Sequence, residues 1–294
     1  MRSIKRKPQV VSDISMIVSN ALSEDIGAGD ITCYAVIDND LIIKADIFAK
    51  EKEIVVCGLE IVKEVFAQID RKVKIKFNVL EGSFLTAKKS ICTITGPAAS
   101  ILKGERTALN FLGRLSGIAT QTRKITQKIK KYKARVLDTR KTTPGLRILE
   151  KYAVKTGGGE NHRFGLFDQV LIKDNHIQIM RNVAQSADLC DIINQVRKKV
   201  AKGTIIEIEV SSLAELKDAL RGKPDIIMLD NMNVNSMKNA VGFRNKLNKQ
   251  IKLEASGNVT EKTIESIAGC GVDFISLGAL THSVKCIDFS LKTK

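Results

Sequence analysis

The chain has 294 residues, of which 44% are hydrophobic and 27% are charged, and its formal net charge at pH 7 is +16. The length is enough to bury one large core or two modest ones, and the composition is that of a globular rather than a disordered protein. The sequence has neither a long apolar run nor the apolar core of a secretory signal, so we expect no membrane partner and a cytoplasmic location.

The N-terminal third predicts a small α+β domain that ends near Gly96-Pro97. The basic residues 1–7 are expected to be an unordered tip, and apolar spacing predicts a helix over 12–24 that ends at the EDIGAGDIT turn. LIIKADIFAK, KIKFNVL and SICTITG have strand character, and a helix is predicted over 59–69. A further helix is predicted from Ala98 to about Tyr132, with a bend or an interruption at Gly113 and Gly117.

Six apolar runs in the rest of the chain have the character of strands, and each ends in a polar or small residue. They are ARVLD ending at Asp138, QVLIK at Lys173, IIEIE at Glu209, DIIMLD at Asp230, KLEAS at Ser256 and FISLG at Gly278. Helical stretches fit between them, which predicts right-handed βαβ units and a parallel sheet. Because such units close readily into a barrel with its reactive groups at the C-terminal strand ends, we expect these ends to line one mouth.

Cations gather at two of these strand ends. Arg140, Lys141, Arg163 and Lys173 lie at or just beyond a strand end, with His162 beside them. Arginine offers a planar fork to a carboxylate and lysine a point charge, so the set suits a ligand with two or more carboxylates. The alternative for each cation is a structural ion pair, for which the neighbouring acids are Asp138, Glu150, Asp168 and Asp174.

The remaining strand ends carry acids and small residues. Glu209 and Asp230 could bind ribose hydroxyls or hold magnesium through water, or could form a buried pair with lysines. Small residues after the last two strands allow backbone N–H groups to approach a phosphate. His176 could simply brace the loop at Lys173, and the six scattered cysteines predict neither a disulfide frame nor a zinc site.

Six motifs occur in a characteristic order over most of the chain: DTRKTTPGLR, GGGENHRFGLFDQVLIKDNH, IEVSS, MLDN, LEASGN and ISLGALTHS. Together they resemble the quinolinate phosphoribosyltransferase family, also called nicotinate-nucleotide pyrophosphorylase. The resemblance implies a type II phosphoribosyltransferase: an N-terminal α+β sandwich-like domain and an incomplete, TIM-like parallel α/β barrel. It also implies the transfer of phosphoribose from 5-phosphoribosyl 1-pyrophosphate to quinolinate with decarboxylation. The products are nicotinate mononucleotide, pyrophosphate and carbon dioxide, in NAD biosynthesis with magnesium as cofactor.

The resemblance also assigns residues and domains. We place the N-terminal domain at 1–115, the barrel at 116–280 and a tail at 281–294 that packs back on the N-terminal domain. The substrate pocket is formed by Arg106, Thr139, Arg140, Lys141, His162, Arg163 and Lys173, and the phosphate loops by Ser256, Gly257, Asn258, Leu277, Gly278 and Ala279. Lys141, Glu209 and Asp230 are the expected catalytic residues. The family pattern is a homodimer in which Arg106 reaches the neighbouring subunit's site.

Two other functions fit parts of the sequence. A ModD-like relative, of the kind found with molybdate transport, would share the scaffold and use a different acceptor. A basic nucleic-acid-binding protein would show a contiguous cationic stripe and a steep salt dependence. The chain has three tyrosines, no tryptophan and no aromatic platform among its basic runs, so we expect no nucleic-acid partner.

Overall fold

The computed structural model describes residues 7–38, 40–184 and 188–294, so the predicted N-terminal tip lies outside the described residues except for Lys7. The chain divides into two compact units. The first contains Met1–Arg123, Thr142–Gly158 and Leu280–Lys294, and the second contains Lys124–Lys141 and Gly159–Ala279. No described helix has the length and hydropathy needed to span a membrane.

Helices and strands follow one another along the whole described chain. The helices are α1 (Lys7–Ile26), α2 (Ile31–Val36), α3 (Leu59–Ile69), α4 (Ala98–Lys128), α5 (Arg147–Thr156), α6 (Asp174–Ala184), α7 (Leu189–Lys199), α8 (Leu213–Gly222), α9 (Val234–Leu247), α10 (Ile264–Ala268) and α11 (Ala279–His282). The strands are β1 (Ile42–Ala49), β2 (Ile54–Val55), β3 (Lys74–Phe77), β4 (Phe84–Leu85), β5 (Ser90–Pro97), β6 (Arg135–Leu137), β7 (Val170–Ile172), β8 (Ile206–Val210), β9 (Ile226–Asp230), β10 (Lys252–Ser256), β11 (Phe274–Ser276) and β12 (Phe289–Thr293).

The first unit is built on a four-stranded antiparallel sheet in the order β12-β1-β5-β3. The C-terminal strand β12 is an edge strand that pairs with β1, from Ala45 opposite Thr293 to Ala49 opposite Phe289. Helix α3 buries five apolar residues on one face, which is the reason its 3.6-residue spacing predicted it. The predicted helices at 12–24 and 59–69 and the three predicted strands are all confirmed.

Helix α4 is continuous over 31 residues, so the predicted bend or interruption at Gly113 and Gly117 is wrong. The two glycines are there because the C-terminal segment approaches the helix closely. A Cβ at Gly113 would lie 2.7 Å from the carbonyl oxygen of Ile287, and one at Gly117 would lie 2.4 Å from that of Lys285. Local sequence shows only the helix-breaking tendency of glycine, whereas the packing of a distant segment decides the outcome.

The two compact units differ from the predicted domains 1–115 and 116–280 in three places. Residues 116–123, residues 142–158 and Leu280, all predicted to belong to the barrel, group with the first unit. Within that unit, Glu150 of α5 is completely buried and accepts a hydrogen bond from Nε of Arg114 in α4 at 2.9 Å. Thr143 also binds this pair, because its N–H donates to Glu150 Oε2 at 3.2 Å. A buried carboxylate needs such partners, and here they lie in the first unit.

The second unit is a six-stranded parallel sheet in the order β6-β11-β10-β9-β8-β7. Consecutive strands are neighbours from β7 to β11, and the last strand returns to pair with the first. This is the order of a barrel that is left open between β6 and β7. The six predicted strands and the predicted fold class, an incomplete α/β barrel beside an α+β domain, are confirmed.

Candidate functional site

The acidic strand ends of the second unit lie side by side. Ser256 pairs directly with Asp230, and Glu209 pairs with Met228, which is two residues before Asp230 on the same face of β9. Nζ of Lys173 lies 3.5 Å from Oε1 of Glu209. Burial raises the pKa of Glu209, Lys173 lowers it, and the charge of Asp230 raises it further. The predicted proximity of the two acids is therefore present in the structure, with a lysine beside them.

A cavity of about 340 Å³ opens beside these acids. Its lining includes Asp174, Arg181, Glu209, Ser211 and Asp230. Two carboxylates at one cavity are oxygen donors of the kind that magnesium prefers, and magnesium usually keeps several waters as ligands. The donor set at this mouth therefore fits a magnesium ion.

Arg163 lies within electrostatic range of Arg140 and of the acid Glu209. Arg163 is 8% exposed, and its Nη1 donates to the backbone oxygen of Gln169 at 3.2 Å. Its pKa is lowered first by burial and then by the positive charge of Arg140, while neighbouring acids raise it. Arg140 is half-buried, and the exposed Lys141 follows it in a turn closed by a 3.1 Å hydrogen bond from the Lys141 N–H to Thr139 Oγ1. Two guanidinium groups held near each other attract an anion with more than one negative group.

The ring of His162 points into the protein. Its Nδ1 accepts the backbone N–H of Arg163 at 2.8 Å. Its Nε2 lies 2.9 Å from Oε2 of Glu207 and 3.6 Å from Oε2 of Glu254, and both glutamates are completely buried. Gln169 Nε2 donates to the same Oε2 of Glu207 at 2.7 Å. Because both ring nitrogens face protein groups, the positive character of the pocket comes from the arginines and lysines around this histidine.

The loop after β10 is fixed by the loop after β9. Asn231 donates its backbone N–H to the Ser256 oxygen at 2.9 Å and its Nδ2 to Asp230 Oδ2 at 2.8 Å, and it accepts from Asn258 Nδ2 at 3.1 Å. Gly257 has a φ of +85°, and a Cβ there would lie 2.2 Å from Asn231 Oδ1. Only glycine satisfies both conditions, so the backbone of this small-residue loop stays accessible.

The loop after β11 is the second predicted phosphate loop. Leu277 is buried, and its N–H donates to the carbonyl oxygen of Leu137 at 3.0 Å, which continues the pairing between β11 and β6. Gly278 and Ala279 follow it and are half-buried. The loop thus begins at a fixed strand end of the same sheet.

Comparison with known proteins shows the family of the chain. Residues 30–116 match the model of the quinolinate phosphoribosyl transferase N-terminal domain, and residues 118–292 match that of the C-terminal domain. The chain belongs to the quinolinate phosphoribosyltransferase family. Among its curated relatives is the probable nicotinate-nucleotide pyrophosphorylase (carboxylating) of Bacillus subtilis, which is 39% identical over 278 residues, covering 95% of this chain and 92% of the relative.

Solved structures of similar proteins give the same family fold. The nicotinate-nucleotide pyrophosphorylase from Francisella tularensis has a TM-score of 0.89 and 39% identity, with 96% of each chain covered. The protein of that name from Pyrococcus furiosus is 18% identical with a TM-score of 0.69, over 99% of this chain and 77% of the other, and it shares the fold. The fold of the quinolinate phosphoribosyltransferase family is therefore that of this chain.

Arg106 differs from the other predicted site residues because it lies in the first unit. It is on α4, its side chain is exposed, and it forms no ion pair with another residue in the described ranges. Local sequence favours an ion pair of Arg106 with Glu105 or with a residue one turn away, and the residues that the structure describes do not form one with it. Its neighbours Thr107, Ala108 and Leu109 are buried, so Arg106 is a polar residue on an otherwise packed stretch of the helix.

Sequence reasoning missed four residues of this quinolinate phosphoribosyltransferase site: Gln169, Glu207, Asn231 and Glu254. The signal for the two glutamates was a charged residue inside an apolar strand, two positions before a mouth residue. For Asn231 it was a polar residue directly after a strand, and the structure gives it a φ of +52°. The interpretation of His176 as a brace is confirmed, since its Nδ1 accepts the Lys173 N–H at 3.0 Å.

Proposed function

We propose that this protein transfers the phosphoribosyl group of 5-phosphoribosyl 1-pyrophosphate to quinolinate, with decarboxylation to nicotinate mononucleotide, as its family name indicates. The observation that carries the proposal is the pair of Arg163 and Arg140, in which the charge of Arg140 adds to burial in lowering the pKa of Arg163. A dianionic ring acid offsets this repulsion by placing one carboxylate against each guanidinium. A monocarboxylate would reach only one of the two guanidinium groups.

The remaining mouth residues suit the donor. Lys173 and the exposed Lys141 supply point charges for the pyrophosphate, and the backbone around Gly257 and Gly278 is open to the ribose phosphate. Glu209 and Asp230 would hold magnesium, which offsets charge on the pyrophosphate when it is bound. The same two acids can accept the ribose hydroxyls.

The proposed reaction needs aligned substrates and stabilisation of developing charge, and it needs no nucleophile from the protein. As the bond from ribose to pyrophosphate breaks, positive charge grows on the sugar, and the carboxylates of Glu209 and Asp230 stabilise it. The arginines hold the pyridine ring nitrogen in line with the ribose carbon that the pyrophosphate leaves. The adjacent carboxylate then leaves as carbon dioxide, and its bonding electrons remain on the ring carbon beside the nitrogen made cationic by ribosylation. The exposed Lys141 is the cation that we assign to this step, and a proton from water takes the place of the carboxylate.

A homodimer belongs to the proposal. Four apolar side chains of the second unit are largely exposed to solvent: Leu166 (74%), Phe167 (76%), Ile179 (60%) and Val183 (78%). Contact with a second chain would remove the unfavourable exposure of these apolar groups to water. The exposed Arg106 on α4 is available to the partner's site. We also propose that the enzyme works in the cytoplasm, and the six free thiols suit a reducing compartment.

The test is pyrophosphate release from phosphoribosyl pyrophosphate and magnesium with quinolinate, and with nicotinate in parallel. We expect turnover with quinolinate alone. Arg140→Ala is expected to lower kcat/KM by more than about 100-fold, since it removes one arm of the carboxylate clamp. Arg197→Ala, at the exposed ion pair with Asp225, is the matched control and should keep full activity. If neither acid turns over, the proposal is wrong and a different acceptor, as in the ModD-like proteins, takes its place.

A further inference from the structure

A cluster of His162, Glu207 and Glu254 lies one layer of side chains below the mouth of the barrel. Glu207 precedes Glu209 by two residues on β8, and Glu254 precedes Ser256 by two residues on β10, so each lies on the same face as its mouth neighbour. Both glutamates are completely buried, and the ring nitrogen Nε2 of His162 lies within 3.6 Å of each. Two buried carboxylates are costly in a barrel core, and the reaction proposed above does not use them directly.

Hydrogen bonding shows which ring nitrogen of His162 carries the proton. Nδ1 of His162 accepts an N–H and so carries no proton, which places the imidazole proton on Nε2, facing the glutamates. Oε2 of Glu207 accepts from Gln169 Nε2 at 2.7 Å and lies 2.9 Å from His162 Nε2. Neither carboxyl oxygen of Glu254 accepts a well-formed hydrogen bond from the part of the chain that the structure describes. Glu207 is therefore the glutamate of the pair that a neighbouring side chain binds.

The surroundings of Glu254 disfavour its charged form. Burial, and after it the charge of Glu207, raise the pKa of Glu254 to about 8. The three residues are also metal-ligand types within 4.8 Å of one another, but the hydrogen bonds to His162 Nδ1 and Glu207 Oε2 describe a hydrogen-bonded cluster.

Both contacts that hold Arg163 in place lead back to Glu207. The Arg163 backbone is bound by His162, whose ring abuts Glu207. The Arg163 side chain is bound by the Gln169 carbonyl, and the Gln169 amide is bound by Glu207. We propose that Glu207 is a positioning residue that fixes His162 and Gln169 and thereby aims the Arg163 guanidinium at a ligand carboxylate. The ligand part of this inference rests on the proposed function, whereas the histidine part does not.

Two equal chemical changes distinguish the two glutamates. Glu207→Gln replaces the carboxylate that faces Gln169 and His162 by an amide, and it is expected to raise the KM for quinolinate by up to about 100-fold with a smaller fall in kcat. Glu254→Gln leaves the contact between Glu207 and Gln169 in place and is expected to raise KM far less. Glu207→Asp keeps a carboxylate on a shorter side chain and should recover part of the loss. Glu261→Gln, at an exposed ion pair with Lys124 and Lys128, is the control for a Glu-to-Gln change elsewhere.

Nitrogen NMR of the imidazole rings gives a readout that does not depend on turnover. The chain has three histidines, so His176→Asn and His282→Asn variants assign the signals. We expect wild-type His162 to be neutral with its proton on Nε2, and we expect Glu207→Gln to populate the other neutral tautomer. Thermal melting shows whether each variant is folded, and Glu207→Asp should keep the wild-type tautomer.

The outcomes separate the two proposals. An unchanged His162 tautomer in Glu207→Gln, or equal effects of Glu207→Gln and Glu254→Gln on KM, would overturn the positioning role. Absence of wild-type turnover with quinolinate would overturn the proposed function and leave the NMR comparison to decide the role of Glu207. A tautomer change together with a selective rise in KM supports both.

Discussion

Arg163 is a cation with 8% exposure, and its surroundings explain how such a group is tolerated at the residue scale. Its side chain has a carbonyl partner in Gln169, and the charges of Glu207, Asp168 and Glu209 partly offset its burial. The positive charge of Arg140 acts in the opposite direction. Because these charges act on the Arg163 guanidinium in opposite directions, an added anion would further stabilise its charged form. This is expected of a residue that binds an anionic ligand.

Glu254 makes stability depend on pH in a direction opposite to that of most carboxylates. Folding raises its pKa from the ordinary 4.5 to about 8, so between these values the folded state binds more protons than the unfolded chain. The free energy of unfolding therefore falls as the pH rises through this window, and the cost is complete above about pH 8. In Glu254→Gln, the side-chain amide has the same neighbours, Glu207 and His162, but does not titrate. The free energy of unfolding of this variant should therefore increase relative to that of wild type as the pH rises.

Urea unfolding of wild type, Glu254→Gln and the Glu261→Gln control at several pH values measures this difference. The gap between Glu254→Gln and wild type is expected to widen from about pH 5 to about pH 8. If the free energies of unfolding of wild type and Glu254→Gln changed in parallel over that pH range, the raised pKa of Glu254 would be contradicted. Glu261→Gln should run parallel to wild type in this window, because lysines lower the pKa of Glu261.

At the scale of elements, α4 shows how distant packing overrides local preference. Gly113 and Gly117 in its interior weaken the helix by about 1 kcal/mol each relative to alanine. The C-terminal segment at Lys285 and Ile287 lies against both of them within the first unit, where a side chain would collide with backbone oxygens. The helix stays continuous because burial along its length outweighs the local cost.

A pair of glycine-to-alanine changes tests this explanation. Gly117→Ala is expected to destabilise the protein by about 1–3 kcal/mol, because its Cβ would lie 2.4 Å from the Lys285 oxygen. Gly242→Ala in α9 has no atom within 4 Å of the added Cβ and is expected to stabilise by about 1 kcal/mol. Denaturant unfolding measures both. Stabilisation by Gly117→Ala would show that the C-terminal segment does not depend on this close approach.

At the scale of the whole molecule, the +16 charge is spread over much of the surface. Several lysines form exposed ion pairs, such as Lys131 with Glu265 and Lys50 with Asp288. Arg163 and Lys173 instead lie near the strand-end acid Glu209 of the parallel sheet. This distribution favours a small polyanionic ligand over a long nucleic acid, which would need a continuous basic track.

The proposed dimer makes a prediction about shared sites. If Arg106 serves the partner's site, then Arg106→Ala and Arg140→Ala each inactivate both sites of their own homodimer. After subunit exchange, half of the dimers are mixed and carry one intact site, so a mixture of the two inactive proteins should recover about a quarter of wild-type activity. Light scattering checks the dimer mass. Failure to recover activity, with exchange verified by differently tagged chains, would place both residues in one subunit's site.

Much of this protein could be predicted from the sequence alone, because its signals are local. Apolar periodicity located α3 and all six barrel strands, and the motifs at their ends located the residues of the mouth. The family membership follows from the same motifs. These properties depend on short stretches whose patterns need no knowledge of distant contacts.

The tertiary structure alone decided how those residues work together. It placed His162 against Glu207 and Glu254, which come from strands 47 residues apart in sequence, and it made Gly117 a packing site instead of a helix break. Sequence determines which side chains are available and which face of a strand each occupies. Burial, shifted pKa values and close backbone approach arise only when segments far apart in the chain meet, because each is a property of the neighbours that folding brings together.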